Sequence, residues 1–599
     1  MKRIFELLEL YKSAYADKED AFAVKRNGKW IKYSSADYIR NSTLMSQAFL
    51  SMGIAKGDQV ATIMNNSPEW NFIDMGLLQI GARQVPVYPT ISREHFSHIF
   101  RDAEIKTAVL SNKDIYENIK DILEENNIRV FIVEPTEDTE SFDDLIRYGE
   151  DNPAEDKIRE ISNSISVEDT ATIIYTSGTT GLPKGVMLSH RNLVSQFTTV
   201  SKLTELKPTQ TALSFLPLCH VYERMLNYMY QNLGLSVYYA ESIDKLGENI
   251  REVKPHIFCA VPRVLEKTYD KIVAAGRDLS PVPKNIFFWA LNLGKRYDLH
   301  EKGNIFYRIQ LYFADLLIYR KWRSALGNRL EIVVSGSVSL QEDIARVFWA
   351  AGIQVMEGYG LTESSPVIAV STPSPLQVKL GTVGPVLPGV QLKIAEDGEI
   401  MAKGPNIMQG YFKHPEWTRK VITEDGWLKT GDIGKMEGKF LRITDRKKAM
   451  IKTSGGKYIS PQVVENMMKS SPFIEQIAVI GEGRPYAAAL VVPDFAHLES
   501  WCRVKGVDYE GPDKAIQTDR IIKRIRKDIA RINSELGKTE QIKRFKLLSE
   551  PFTIEDQTLS PTLKVRRTQI SKNYADTIVK LYRGETGTAV TDKIQTNNH

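Results

Sequence analysis

The segment Tyr175-Thr-Ser-Gly-Thr-Thr-Gly-Leu-Pro-Lys-Gly185 gathers three glycines, four aliphatic hydroxyl residues and one lysine into a turn behind the apolar run TATIIY. Glycine leaves backbone N–H groups free to approach a polyphosphate, hydroxyls add donors, and the lysine supplies charge. That composition suits a triphosphate, with Thr176, Ser177, Gly178, Thr179, Thr180 and Lys184 as candidate ligands. It is not a Walker A loop: Pro183 stands where the second glycine belongs, and Gly185 follows the lysine. The following GVMLS reads as another strand, with a helix only from about Asn192, so no helix N-terminus closes the loop. Farther along, Glu357-Gly-Tyr-Gly-Leu-Thr-Glu363 sets an aromatic, two glycines, a hydroxyl and a carboxylate in one turn. Tyr359 can stack on a purine, Thr362 can donate to a phosphate and Glu363 can hold Mg²⁺. Asp432, in GWLKTGD, can accept from both hydroxyls of a ribose. His95 and His98 stand three apart without a cysteine or third ligand nearby and read as helix surface residues, not zinc ligands.

YTSGTTGLPKG resembles the signature of the adenylate-forming superfamily, which includes acyl-CoA synthetases, luciferases and the adenylation domains of peptide synthetases. The resemblance implies ATP and Mg²⁺, with Glu357, Gly358, Tyr359 and Thr362 in the nucleotide site and Thr179 with Glu363 on the metal. It places Gly336, within Ser335-Gly-Ser-Val-Ser-Leu340, beside adenine; Ser337 stands where relatives usually carry glycine. It gives Asp432 the ribose and Arg446 of Asp445-Arg-Lys-Lys448 the nucleotide, with Asp445 or Lys448 as a hinge. Ser454, Gly455 and Lys457 resemble the loop that lines a pantetheine tunnel, which implies coenzyme A. Lys564, closing Leu559-Ser-Pro-Thr-Leu-Lys, resembles the adenylation lysine, although Leu563 replaces the glycine found in many members. His220, in LPLCHVYER, resembles the residue next to the acyl carboxylate, where it would orient that group or close the site.

The elements that must position these residues alternate strand-like and helix-like runs from 20 to 440, for example QVATIMNN (59 to 66), IKTAVLS (105 to 111), RVFIVE (129 to 134) and EIVVSGS (331 to 337). This predicts an α/β, multi-layer domain with largely parallel strands over 1–444, carrying a helical insertion at about 270–330. The insertion is read as helices packed on the core, with a wall of an apolar substrate pocket as the alternative. From 445 to 583 the pattern becomes a small α+β domain, expected to be mobile: a helix at 461–469, strands near 475–481 and 486–493, then charged helices. The tail 584–599 lacks apolar periodicity and is expected to be disordered.

Composition narrows the class. Hydrophobic residues at 42% and charged residues at 26% are those of an ordinary globular protein, and 599 residues require more than one core. A formal charge of +5 without a basic stripe interleaved with aromatics argues against a nucleic-acid partner. Cys219, Cys259 and Cys502 lack metal or disulfide spacing and imply a reducing, cytoplasmic location. The N-terminal apolar residues are interrupted by Glu6 and Glu9, as in an amphipathic helix, and membrane contact would be peripheral.

GWLKTGDIGKMEGKFLRITDRKKAMIKTSGGKYISP and the helical insertion resemble the long-chain fatty acyl-CoA synthetases within the superfamily. That implies an acid–thiol ligase that joins a long-chain fatty acid to AMP, releases pyrophosphate and passes the acyl group to coenzyme A. A fatty acyl-AMP ligase or acyl-carrier-protein synthetase is the enzymatic alternative, and a catalytically silent acyl- or nucleotide-binding scaffold the non-enzymatic one.

Overall fold

The computed structural model describes residues 1–134, 139–176, 182–300, 303–336, 340–447, 450–553, 555–559 and 565–590, apart from the side chains of Arg263, Pro375 and Arg446. The chain divides into two compact units. The larger takes in Met1–Lys393, Met401–Thr430 and Met436–Arg442; the smaller takes in Ile394–Ile400, Gly431–Lys435 and the chain from Ile443.

Two eight-stranded sheets organise the larger unit. In one, Gln354–Gly360, Ile332–Ser335, Ile257–Ala260, Thr211–Ser214, Ser236–Tyr239 and Phe22–Arg26 run parallel, bordered by antiparallel Val367–Val370 and Lys29–Tyr33. In the other, Thr170–Thr176, Arg83–Pro86, Gln59–Ile63, Thr107–Leu110, Arg129–Ile132 and Glu140–Ser141 run parallel, and Lys184–Ser189 and Gly410–Tyr411 join antiparallel at one edge. The expected parallel layering holds, because short runs such as IFCA and TAVL are buried throughout, as strands covered on both faces must be. Two of the antiparallel pairings flank the motif-bearing segments, after Thr176 and after Gly360. A hairpin returns the chain within a few residues, and so keeps polar loop backbone at a sheet end where a ligand can reach it.

The predicted insertion comprises helices Pro262–Arg277, Pro281–Gly294 and Ile305–Ala314, a wider turn Asp315–Tyr319, and helix Arg320–Ala325. The N-terminal segment is helical over Leu7–Lys12, and Ile4, Phe5, Leu7, Leu8 and Tyr11 are buried in the main core. Among the described residues no helix is long and apolar enough to cross a membrane.

A fully buried charged pair lies inside the larger unit. Arg224 and Asp74 are both fully buried and meet at 2.5 Å; Arg224 also donates to Thr172 (2.6 Å) and Tyr228 (2.8 Å), while the Tyr228 hydroxyl donates to Asp74 at 2.6 Å. Every group in this network hydrogen-bonds to another, the condition under which buried charge is tolerated.

The smaller unit carries a sheet ordered Ile474–Ile480, Ala488–Pro493, Arg544–Leu547, Thr588–Ala589. Strand alternation divides its side chains between two cores. Ile477, Val479, Ala489 and Val491 meet the helices Pro461–Met468 and Asp519–Asn533, whereas Ala478, Ile480, Leu490 and Val492 meet Ile570, Ile578 and Leu581. The expectation of disorder from Gly584 is corrected for its first residues. Gly584 ends the helix Ala575–Arg583 in a left-handed conformation, Thr588–Ala589 pairs with Arg544 and Phe545, and Val590 is buried. Backbone pairing and one apolar anchor hold this stretch without the periodicity that a sequence reading requires. Residues 591–599 lie outside the described residues.

Candidate active site

The strands Thr170–Thr176 and Lys184–Ser189 pair antiparallel with Thr176 opposite Lys184 and Tyr175 opposite Gly185, so the glycine-rich turn is the tip of a hairpin. Helix His190–Ser201 follows, with Asn192 completing a capping box on Ser189, two residues earlier than expected. Gly185 is fixed by packing, since a Cβ there would lie 2.8 Å from Ile173 Cγ2 and 3.0 Å from Tyr175 Cζ. Ser177, Gly178, Thr179 and Thr180 lie outside the described residues.

Lys184 is half-buried, with Nζ 5.1 Å from the Tyr411 ring centre and 4.9 Å from that of Trp417. At these distances the aromatic faces attract the ammonium and hold it in place. The Tyr411 hydroxyl donates to Glu363 Oε1 at 2.8 Å, and burial together with this carboxylate pushes the phenol up. One tyrosine therefore joins the lysine of the first motif to the carboxylate of the second. Glu363 follows Thr362, which is buried in a short turn. Gly360 before it is obligatory, because a Cβ would sit 1.7 Å from the Pro366 carbonyl oxygen.

His98 is corrected from a surface residue to a half-buried one: its Nε2 lies 2.9 Å from the Pro183 carbonyl oxygen, and its ring stands edge-on to Tyr175 at 6.4 Å. His95 is also half-buried. The same helix, Arg93–Asp102, ends at Asp102, whose carboxylate accepts from Tyr175 and whose carbonyl accepts from Lys413 at 2.7 Å.

Glu357, Gly358 and Tyr359 continue the strand Gln354–Gly360, with Glu357 opposite Ser335 and Tyr359 opposite Ala369. Glu357 is buried and accepts from Leu340 N–H at 3.2 Å; burial pushes its carboxyl up to about 7. Gly336 abuts the Tyr222 ring, where a Cβ would come within 2.7 Å. Tyr222 is the second residue of the helix Val221–Asn232, whose N-cap is His220. His220 Nδ1 accepts from Tyr222 N–H at 3.2 Å, so its proton resides on Nε2, a donor suited to a carboxylate.

Next on this helix, Glu223 is almost fully buried; Ser214 Oγ donates to Oε1 at 2.7 Å, and burial pushes the carboxyl up to about 8. The folded state thus holds a proton that the unfolded state releases near its ordinary value of 4.5. Stability from this group is complete below that value, falls as pH rises, and is gone above about 8. Glu223→Gln should therefore match the parent in denaturation at pH 4 and exceed it by up to roughly 4 kcal/mol at pH 9. A stability difference that does not change between these pH values would refute it.

In the smaller unit, Asp432 and Asp445 are buried on the strands Leu428–Glu437 and Phe440–Arg446. Ser454, Gly455 and Lys457 form the exposed tip of the hairpin Ile451–Lys452/Tyr458–Ile459, closed by Thr453 N–H donating to the Lys457 carbonyl at 2.9 Å. Lys448 and Lys564 lie outside the described residues, and Arg446 is described by its backbone alone. Among the described residues no group of three or more His, Cys, Asp or Glu is placed to hold a metal. A cation at Glu363 would take its remaining ligands from hydroxyls and substrate phosphates, which is how Mg²⁺ is ordinarily bound.

Residues 11–412 match the model of the AMP-binding enzyme family, and 448–586 match that of the AMP-binding enzyme C-terminal domain. The chain is 32% identical over 582 residues to long-chain-fatty-acid–CoA ligase FadD15 of Mycobacterium bovis, covering 93% of this chain and 94% of that one. It is 30% identical to long-chain-fatty-acid–CoA ligase 1 of Homo sapiens, covering 92% and 82%. Among solved structures, the A domain of a carboxylic acid reductase from Segniliparus rugosus superposes with a TM-score of 0.76 at 19% identity, covering 98% and 94%. A fatty acyl CoA synthetase from Mycobacterium tuberculosis gives 0.63 at 21%, covering 96% and 99%. The two-part architecture, the hairpin-borne turn and the matched sequence agree, and the chain belongs to the AMP-binding enzyme family.

Proposed function

We propose that the protein is an acid–thiol ligase that activates a long-chain fatty acid with ATP and transfers it to coenzyme A. The observation that carries this reading is that Tyr411 touches both Lys184, through its ring, and Glu363, through its hydroxyl, and so links the lysine of the motif rich in glycine and threonine to the carboxylate of the second motif. Relatives named for long-chain fatty acid–CoA ligation, matched over more than nine-tenths of this chain, support the substrate class.

In the first step a carboxylate oxygen attacks the α-phosphorus, the bond to the β-phosphate oxygen breaks, and pyrophosphate leaves. His220 Nε2–H orients the carboxylate, and Lys184, Arg446 and Lys564 offset the charge that collects on phosphate oxygens. Mg²⁺ held by Glu363, with Thr179, supplies further charge neutralisation when bound. Tyr359, with Glu357, Gly358 and Gly336, borders the adenine, Thr362 donates to phosphate and Asp432 accepts from the ribose. In the second step a coenzyme A thiolate attacks the acyl carbonyl and AMP leaves as the better leaving group. We place a hinge at Asp445–Lys448, between an adenylation domain over 1–444 and a mobile domain over 445–583, with Ser454, Gly455 and Lys457 on the thiol side. We also assign the protein to the cytoplasm with peripheral membrane contact.

The test is pyrophosphate release and acyl-thioester formation with ATP, Mg²⁺, coenzyme A and fatty acids from short to long. Thioester that peaks with long chains is expected. Pyrophosphate without thioester would move the acceptor to a carrier protein, and no pyrophosphate with any acid would remove the ligase reading in favour of a binding scaffold.

A further inference from the structure

Helix Ile305–Ala314 and the turn Asp315–Tyr319 that continues it are apolar on both sides. The inner side is packed: Ala314, Ile318 and Tyr319 are buried, and the hydroxyls of Tyr307 and Tyr319 donate to the carbonyls of Leu293 (3.1 Å) and Ala290 (2.7 Å). The outer side is not. Ile305, Phe306, Ile309, Tyr312, Phe313 and Leu316 are all exposed, from 43% at Leu316 to 71% at Phe306. Their spacing places them on one face of the helix as a continuous stripe. Single exposed apolar residues are ordinary in a folded protein, whereas a contiguous stripe marks a surface meant to be covered.

Its surroundings indicate by what. Between 303 and 328 four cations, Arg308, Arg320, Lys321 and Arg323, face a single acid, Asp315, which Arg323 and Arg320 already hold at 2.6 and 3.3 Å. Arg308 and Lys321 are exposed. The stripe is therefore apolar with a net basic rim, and Tyr312 adds an amphipathic ring of the kind that settles at headgroup level. From Ile305 to Leu316 a helix extends only about 18 Å, too short to cross a bilayer and suited to lying in its surface.

We propose that this stripe seats the protein on an anionic lipid bilayer, with the helix in the plane of the interface and Arg308 and Lys321 on the headgroups. The proposal deepens the peripheral contact assigned above by naming its surface. Its test uses neither ATP nor fatty acid, so the ligase reading and this one can fail separately.

The full chain is floated with phosphatidylcholine vesicles with and without phosphatidylglycerol at low salt. The parent should float, more strongly with phosphatidylglycerol. F306S/F313S should lower the partition coefficient about a hundredfold on both vesicles. R308Q/K321Q should lower it about tenfold on the anionic vesicles alone. These side chains are exposed, so melting temperatures should match the parent's. A parent that stays at the bottom of the gradient, or F306S/F313S floating as the parent does, overturns the proposal. So does sedimentation velocity in which F306S/F313S converts a dimer to a monomer without vesicle binding, which would make a second copy the occupant.

Discussion

Lys564→Ala is expected to slow acyl-adenylate formation about a hundred- to a thousandfold, the usual loss when one charge-stabilising group is removed from an acyl- or nucleotidyl-transfer site. Thioester formation from supplied acyl-adenylate should stay within about threefold of the parent, because the role assigned to Lys564 is confined to the adenylation step. Pyrophosphate exchange measures the first half-reaction, and single-turnover thiolysis of acyl-AMP the second. The asymmetry carries the claim: equal losses in both halves would remove Lys564 from its assigned role even if overall activity vanished. Lys564→Arg separates charge from shape, since a guanidinium keeps the charge but carries it in a planar fork.

Asp74→Ala should cost about 3–5 kcal/mol of stability, because it leaves the Arg224 guanidinium buried without its counter-charge. The loss should exceed that from removing any exposed ion pair, such as Arg40–Glu150, by at least threefold. Arg224→Met combined with Asp74→Leu should recover more than half of it, since an apolar pair of similar volume removes both desolvation penalties together. Urea unfolding followed by tryptophan fluorescence measures both, and Trp70, 5.1 Å from the Arg224 guanidinium, is a local reporter. An Asp74→Ala midpoint indistinguishable from the parent's would show that the cavity takes in water and that the pair is not strictly buried.

Much of this arrangement was readable before any coordinates, for reasons particular to each element. TATIIY and GVMLS were legible as two strands because a short apolar run stands on each side of a glycine-rich turn, and both fall where expected; their antiparallel pairing is what the structure adds. Helix 461–469 and the strands after it were equally clear, since their apolar spacing changes period between one and the next. What the sequence concealed depends on partners distant in the chain. Nothing near His98 hints at the Pro183 carbonyl 85 residues away. Tyr411 and Trp417 lie in a stretch without any motif, and only the pairing of Gly410–Tyr411 with Val186 and Met187 brings them to Lys184. Arg224 was visible beside His220, but its partner Asp74 is 150 residues upstream in an apolar helix where an acid carries no signal. Glu223 shows the same limit from the other direction: its chemistry comes from burial, which no local pattern encodes.

Asp102 receives the Tyr175 hydroxyl on its carboxylate and the Lys413 ammonium on its carbonyl, and its carboxylate lies 3.8 Å from His414. His414 in turn stacks on Trp417, and Trp417 lies against Lys184. The hairpin and the segment 410–417 are thus two arms fastened at both ends, one end at Asp102 and the other at the lysine. A loop tied at one point opens independently; one tied at two must open with its partner. The two arms are therefore coupled, and whatever orders one of them should raise the protection of the other's backbone amides from exchange with solvent.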